Sequence, residues 1–357
     1  MNINGIRTHL NFRLFNKNIF NYKFILKKSN YLYLIIFLIL FLISLLIFNF
    51  KHFYNNNFDS SFIKDDNRNL NLDYDNYTFL IIKRENCSLC GLFSDYIIFL
   101  GCINEYISRG LIPIIDLQSY NNVFNGFNVN LSNENPWEIF FNQPFGYSLN
   151  DVLRKGKNLK YVECFSSNYP SLSIFSNEVL MGFWHNLAKQ YIPVKTKMLL
   201  KSKLIIKNLF KKSKNVLGIL MRGTDYISKK PKNHPIPPTP EIVLNDIKEM
   251  NNKNNYDWYF ISTEDDIIRQ KFREQLGNKL KYYSYNKAIN YNYKQKQFLS
   301  DNEIVKGNIN YMETYLLNII ILSQCIDIIC ARTSGAIGVF ILKNGFRNSK
   351  YYNMGCY

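Results

Sequence analysis

The sequence predicts an α/β protein: two facing domains, each built on a parallel sheet, behind a single N-terminal transmembrane helix. Three observations predict it. Residues 31–48 are an unbroken apolar run with Ser44 its only strongly polar side chain. Beyond residue 76, strand-like apolar runs alternate with helix-length segments, an order that places helices on the faces of a parallel sheet. The alternation comes in two separate series, one from residue 77 and one from Asn215. With 47% apolar or aromatic residues in 357, the chain has too much hydrophobic material to stay disordered.

The N-terminal part sets the membrane expectation. The formal charge is +17, from 44 Lys+Arg against 27 Asp+Glu, which raises nucleic acid as a partner unless the charge lies elsewhere. Residues 1–30 hold six of the basic residues and no acid, and residues 31–50 hold no charge. A helix needs about 20 apolar residues to cross the hydrocarbon core, and 31–50 supply them. The run is longer than a signal-peptide core, and Asn-Phe-Lys-His-Phe follows where small residues should stand. It therefore reads as an uncleaved signal anchor. The basic flank keeps residues 1–30 in the cytoplasm and sends the rest across. This describes a type II protein of the Golgi or ER membrane, or the periplasmic side in a bacterium. Residues 51–76, rich in Asn and Asp without an apolar period, read as a stem. Sequons at Asn76, Asn86 and Asn130 suit a glycoprotein of the secretory lumen.

Residues 77–195 make the first α/β domain. Its elements are a strand at 77–83, a Cys- and Gly-bearing turn, a helix over about 92–108 ended by Gly110, and a strand at 111–116. Residues 196–214 read as a basic interdomain helix. The stretch 189–214 carries nine lysines and no acid. An anionic contact is one reading. The other, preferred here, is an amphipathic surface helix burying Leu199, Leu200, Leu204, Ile205, Leu209 and Phe210, which recur at helical intervals. Residues 215–357 make the second domain. Strands are expected at 216–221, 256–262, 279–285 and 326–331. Helices are expected over 238–250 (capped by Thr239, with Pro240 first), 265–276, 310–325 and 334–343. The seven cysteines are Cys87, Cys90, Cys102, Cys164, Cys325, Cys330 and Cys356; at least one stays unpaired, and the pairing is not readable from sequence. Cys87-x-x-Cys90 has no second such pair or His pair beside it, so no metal site is expected.

Three motifs of the second domain sit at strand carboxyl ends, where open α/β sheets bind ligands. In GILMRGTDY (218–226), a strand runs into Arg222, suited to a phosphate, and Gly223, which lets backbone approach. In ICARTSGAIG (329–338), Arg332, Thr333, Ser334 and Gly335 lead into a helix start whose free N–H groups can hold an anion. In FISTEDD (260–266), Thr263, Glu264, Asp265 and Asp266 can hold a ribose or a base edge, or simply cap the following helix. One site for a phosphorylated nucleotide uses all three together.

Taken together these motifs resemble the fucosyltransferase superfamily, the α1,6-fucosyltransferases and protein O-fucosyltransferases. Ile219–Asp225 looks like the VxRRTD of the α1,6 branch, and His234-Pro235-Ile236 matches its later His-Pro-Ile. The stretch from Cys90 to Asp116 is similar to the first βα unit of these enzymes. The resemblance implies two facing Rossmann-like domains of the GT-B type. It implies an Arg, here Arg222, on the β-phosphate of GDP-fucose, and it puts Gly91 and Asp116 on the acceptor side. The chain departs from the pattern at Leu220, Gly223 and Lys230, where the family has a nucleotide-contacting His, a second Arg and its general base.

The expectation is a membrane-anchored, inverting, metal-independent glycosyltransferase using GDP-fucose, with a glycan or glycoprotein acceptor and no nucleic-acid partner. Arg222 and the 333–335 turn would stabilise the departing diphosphate. Asp225 and His234 are the candidates for the base. A transferase with another nucleotide sugar, and a non-catalytic carbohydrate-binding protein of the same fold, are the alternatives.

Overall fold

Strand β1 (Thr78–Lys83) is a run of apolar residues buried on both faces, as a strand between two helix layers must be. It pairs in parallel with β2 (Ile112–Ile115), Phe79 opposite Ile112, and with β3 (Asn158–Glu163), Thr78 opposite Asn158. The first sheet thus has the order β2-β1-β3. The computed structural model describes residues 72–129, 134–284, 299–302, 305–345 and 348–357. The basic tail, the apolar run, residues 51–71 of the expected stem and Asn130 lie outside the described residues. Among the described residues, no helix is long and apolar enough to cross a membrane. Residues 72–76, assigned above to the stem, take part in the fold: Leu72 and Tyr74 pack on the core around Phe79 and Tyr147.

Helix α1 (Leu92–Ile107) starts at Gly91 and is buried around most of its circumference. That fits its place between β2 and later helices, because α1 packs against both. A disulfide between Cys102 and Cys164 ties α1 to the end of β3, and Cys87–Cys90 closes the turn before α1. Two short helices follow, α2 (Pro136–Phe140) and α3 (Leu149–Lys155), capped by Asn135 and Ser148. The chain then crosses through α4 (Glu178–Tyr191) and α5 (Thr196–Phe210). The helix expected over 196–214 forms, but its buried stripe is Met198, Ser202 and Phe210, with Ile205, Ile206 and Leu209 half-buried. Leu199, Leu200 and Leu204 face solvent, so half of the apolar positions expected inside lie outside.

The second sheet has five parallel strands in the order β6-β5-β4-β7-β8: β4 (Val216–Leu220), β5 (Trp258–Ser262), β6 (Leu280–Lys281), β7 (Asp327–Ala331) and β8 (Lys350–Tyr352). Of the strand expected at 279–285, Leu280–Lys281 form β6 and the other described residues, through 284, do not join it. The first turn after β4 is α6 (Thr224–Ser228). The covering helices α7 (Pro240–Asn254), α8 (Asp266–Leu276), α9 (Ile309–Gln324) and α10 (Ser334–Lys343) lie within a few residues of their expected places. Thr239 caps α7 as expected, accepting from the Ile242 N–H. Leu217, Ile219, Val243, Ile247 and Phe272 are fully or nearly fully buried in one cluster. Each such side chain contributes about 2 kcal/mol by leaving water. Both sheets lie in one compact unit.

Strand order fixes where a ligand can sit. The chain goes from β4 to β5 on one side, and returns to place β7 on the other. The crevice at the carboxyl ends of β4 and β7 is therefore the switch point of the sheet.

Candidate functional site

A cavity of about 710 Å³ opens at that switch point. Its walls come from the ends of β4, β5 and β7 and, across from them, from the turn between β1 and α1 and the segment after β3. The lining includes Arg222, Asp225, His234, Arg332, Thr333, Ser334 and Gly335 of the expected site residues, and Gly91 from the expected acceptor side. Gly223, Thr263 and Asp265 stand behind the wall. Asp116 is absent from the lining and is engaged elsewhere: it is 1% exposed and accepts from the Gln118 N–H (2.8 Å), the Ser119 N–H (3.0 Å) and the Ser119 hydroxyl (2.5 Å), closing the turn after β2.

Arg222 emerges two residues beyond the end of β4, with its side chain 30% exposed. Its Nη2 donates to both oxygens of Asp225, at 3.0 and 3.1 Å, and its Nη1 lies 3.4 Å from Glu264 Oε1. The guanidinium also stacks over the Tyr226 ring at 5.0 Å. Burial alone would lower its pKa, but the carboxylates of Glu264 and Asp225 outweigh that and raise it well above the ordinary arginine value. The cavity therefore holds a permanent cation, fixed in direction by two buried acids.

Glu264 is 7% exposed, and its Oε1 also accepts from the Gly223 N–H (2.9 Å) and the Thr224 hydroxyl (3.0 Å). Asp265 does the helix capping, accepting from the N–H groups of Ile267 and Ile268. Its other oxygen accepts from the Thr224 N–H at 3.2 Å. Thr224 itself has φ +42°, a left-handed conformation that Thr adopts at a cost on the order of 1 kcal/mol or more. The bonds from Glu264 and Asp265 hold it there.

Asp225 is 3% exposed and takes hydrogen bonds from four groups: Arg222, the Thr224 hydroxyl, the Tyr226 N–H and the Leu299 N–H. His234 is half-buried, with its ring edge-on to Tyr226 at 5.4 Å. Its Nδ1 lies 3.1 Å from the Lys232 carbonyl oxygen. A carbonyl can only accept, so Nδ1 carries a proton here, and in the neutral ring Nε2 is the accepting nitrogen. The loop that carries it is held by the chain end: the Asn233 N–H donates to the Tyr357 carbonyl, and the Tyr357 N–H donates to the His234 carbonyl.

At β7 the expected strand-turn-helix forms. The Thr333 hydroxyl accepts from the Ala336 N–H and caps α10, and the N–H groups of Ser334 and Gly335 have no partner among the described residues. Arg332 Nη2 donates to the Leu172 carbonyl at 2.8 Å, and its guanidinium lies 5.7 Å over Phe175, so Arg332 reaches across to the segment after β3. Opposite, Arg84 lines the cavity and pairs with buried Asp95 at 2.5 Å.

Sequence reasoning named Glu264 for a ribose or base edge rather than as a partner of Arg222, and did not single out Arg84, Tyr226 or Tyr315; all four line the cavity. For Glu264 the signal was present, but an acid at a helix start reads as a cap. Among the described residues, no three His, Cys, Asp or Glu side chains converge as a metal site would require.

No family model and no curated protein matches this chain. Among solved structures, it is similar to POFUT1 in complex with GDP-fucose, at 9% identity over 80% of this chain and 99% of that one, with a TM-score of 0.46. It is similar to NodZ alpha-1,6-fucosyltransferase soaked with GDP-fucose, at 11% identity over 74% and 92%, with a TM-score of 0.45. It is also similar to fucosyltransferase NodZ from Bradyrhizobium, at 11% identity over 74% and 93%, with a TM-score of 0.43.

Proposed function

We propose that this protein is an inverting glycosyltransferase that moves fucose from GDP-fucose to a hydroxyl of a glycan or glycoprotein, without a metal ion. One observation carries the reading: Arg222 and the unpaired N–H groups at the start of α10 face one cavity at the switch point of the second sheet. Sugar transfer breaks the bond between the anomeric carbon and the β-phosphate oxygen, and the electron pair leaves on the diphosphate. The permanent guanidinium and the helix start meet that growing charge with donors already in place, which is where an enzyme gains most. The choice of GDP-fucose rests on the resemblance of residues 219–225 and 332–335 to fucosyltransferase motifs.

The acceptor oxygen attacks from the opposite face and must lose its proton. His234 lines the cavity, and with Nδ1 donating to the Lys232 carbonyl its Nε2 is the base in this reading. Asp225, with four donors already on it, positions Arg222 instead. The first-domain wall around Gly91 takes the acceptor. The anchor at 31–50, with the catalytic part beyond the membrane in the Golgi or ER lumen, is proposed from the sequence alone.

The test is release of GDP from GDP-fucose. Arg222→Ala should lose about 100-fold or more in turnover while the circular dichroism spectrum is retained. Removing Arg222 leaves two buried acids unpaired, so Arg222→Lys, which keeps the charge and loses the fork, serves as the folded control and should lose about tenfold. Near-normal turnover in both variants would overturn the assignment.

A further inference from the structure

We propose that the Tyr315 hydroxyl is a further hydrogen-bond donor to the diphosphate of the donor substrate, held over the first turn of α10; this rests on the nucleotide-sugar reading above. Tyr315 projects from α9 into the cavity lining. Its ring meets the Phe93 ring edge-on at 5.7 Å and 86°, which fixes the ring against α1. The hydroxyl makes no hydrogen bond among the described residues.

Gly335 shows where the hydroxyl points. A Cβ at that position would lie 2.5 Å from Tyr315 Oη, so the hydroxyl occupies the space of the side chain that α10 lacks in its first turn. Three donors thus come together: Arg222 on one side, the free N–H groups of Ser334 and Gly335 at the helix start, and the phenol above them. Burial raises the Tyr315 pKa, while the nearby Arg222 charge acts to lower it, with burial the larger effect. The phenol therefore keeps its proton and donates to an anion without transferring the proton. The glycine has a purpose in this arrangement: any larger residue would push the phenol away from the diphosphate.

A role limited to packing would be carried by the ring, which Tyr315→Phe retains. The experiment is calorimetric titration of GDP into the full-length protein and four variants, together with GDP release from GDP-fucose. Tyr315→Phe should bind GDP about tenfold more weakly and turn over about tenfold more slowly, with an unchanged melting temperature, as loss of one donor to a charged group implies. Gly335→Ala should weaken GDP binding as well. Adding Tyr315→Phe to Gly335→Ala should cost nothing further, because the hydroxyl has already been displaced. Wild-type GDP affinity in Tyr315→Phe, or a full extra loss in the double variant, overturns the inference while leaving the site reading intact. Wild-type GDP affinity in Arg222→Ala overturns the site reading and the inference with it.

Discussion

Gly223 has no room for a side chain: a Cβ there would lie 2.2 Å from Asp265 Oδ2 and 2.6 Å from Asp265 Cβ. Asp265 cannot swing away cheaply, since it caps α8 and holds the Thr224 N–H. We expect Gly223→Ala to cost about 1–3 kcal/mol in urea denaturation through overpacking, and to weaken GDP binding by turning Arg222. A variant as stable as wild type would show that the turn is looser than these contacts imply. The same turn shows what single residues reveal in advance. Arg222, Ser334 and Gly335 were legible because each stands where a strand runs into a helix, a place defined by local pattern. The division of labour between Glu264 and Asp265 was not. Adjacent acids at a helix start look alike, and only the fold turns one towards α8 and the other back to Arg222. Asp116 is the converse case: an acid at a strand end, taken by the resemblance to the acceptor side, is used up closing its own turn.

Helix α1 carries a buried charge pair that makes stability depend on pH. Burial raises the Asp95 carboxyl to about 7, against the opposing pull of Arg84. The folded protein therefore holds this proton more tightly than the unfolded chain, whose Asp titrates near 4. The resulting stabilisation is complete below about pH 4 and is lost as pH rises through about 7. The melting temperature of wild type, relative to Asp95→Asn, should fall between pH 4 and pH 8. A difference that stays flat or rises would reject this account. Among elements, those with apolar cores were legible. β1, β4, β5 and β7 are buried runs, and the helices of the second series carry clear caps. Strand β3 was not, because Asn-Leu-Lys-Tyr-Val-Glu is a half-exposed edge strand whose polar side chains give no apolar run. For α5 the helix was legible and its buried face was not. Apolar residues surround much of it, and contact with α9 chooses the stripe.

At the scale of the whole molecule the two sheets are joined by a helix pair. Phe93 of α1 sits where a side chain on Gly338 of α10 would be, with its ring carbon 2.1 Å from that missing Cβ. The two apolar series announced two sheets, but nothing in a lone glycine announces which helix will rest on it. A cavity walled by both sheets couples them to its ligand. GDP at about 100 times its Kd should add about 2.7 kcal/mol of stability and move a single unfolding transition upwards. Two transitions, of which only one shifts, would mean that the halves melt independently. The crosslink between Cys102 and Cys164 carries a consequence of another kind. Both partners, like Cys87 and Cys90, precede Cys325 and Cys330 in the chain, and these last two end as buried thiols. If the chain enters an oxidising lumen as proposed, the earlier sulfurs meet an oxidant during synthesis while the later ones are still unmade. A finished, reduced chain offers all seven at once, so the route to this fold runs most directly through oxidation in step with translation.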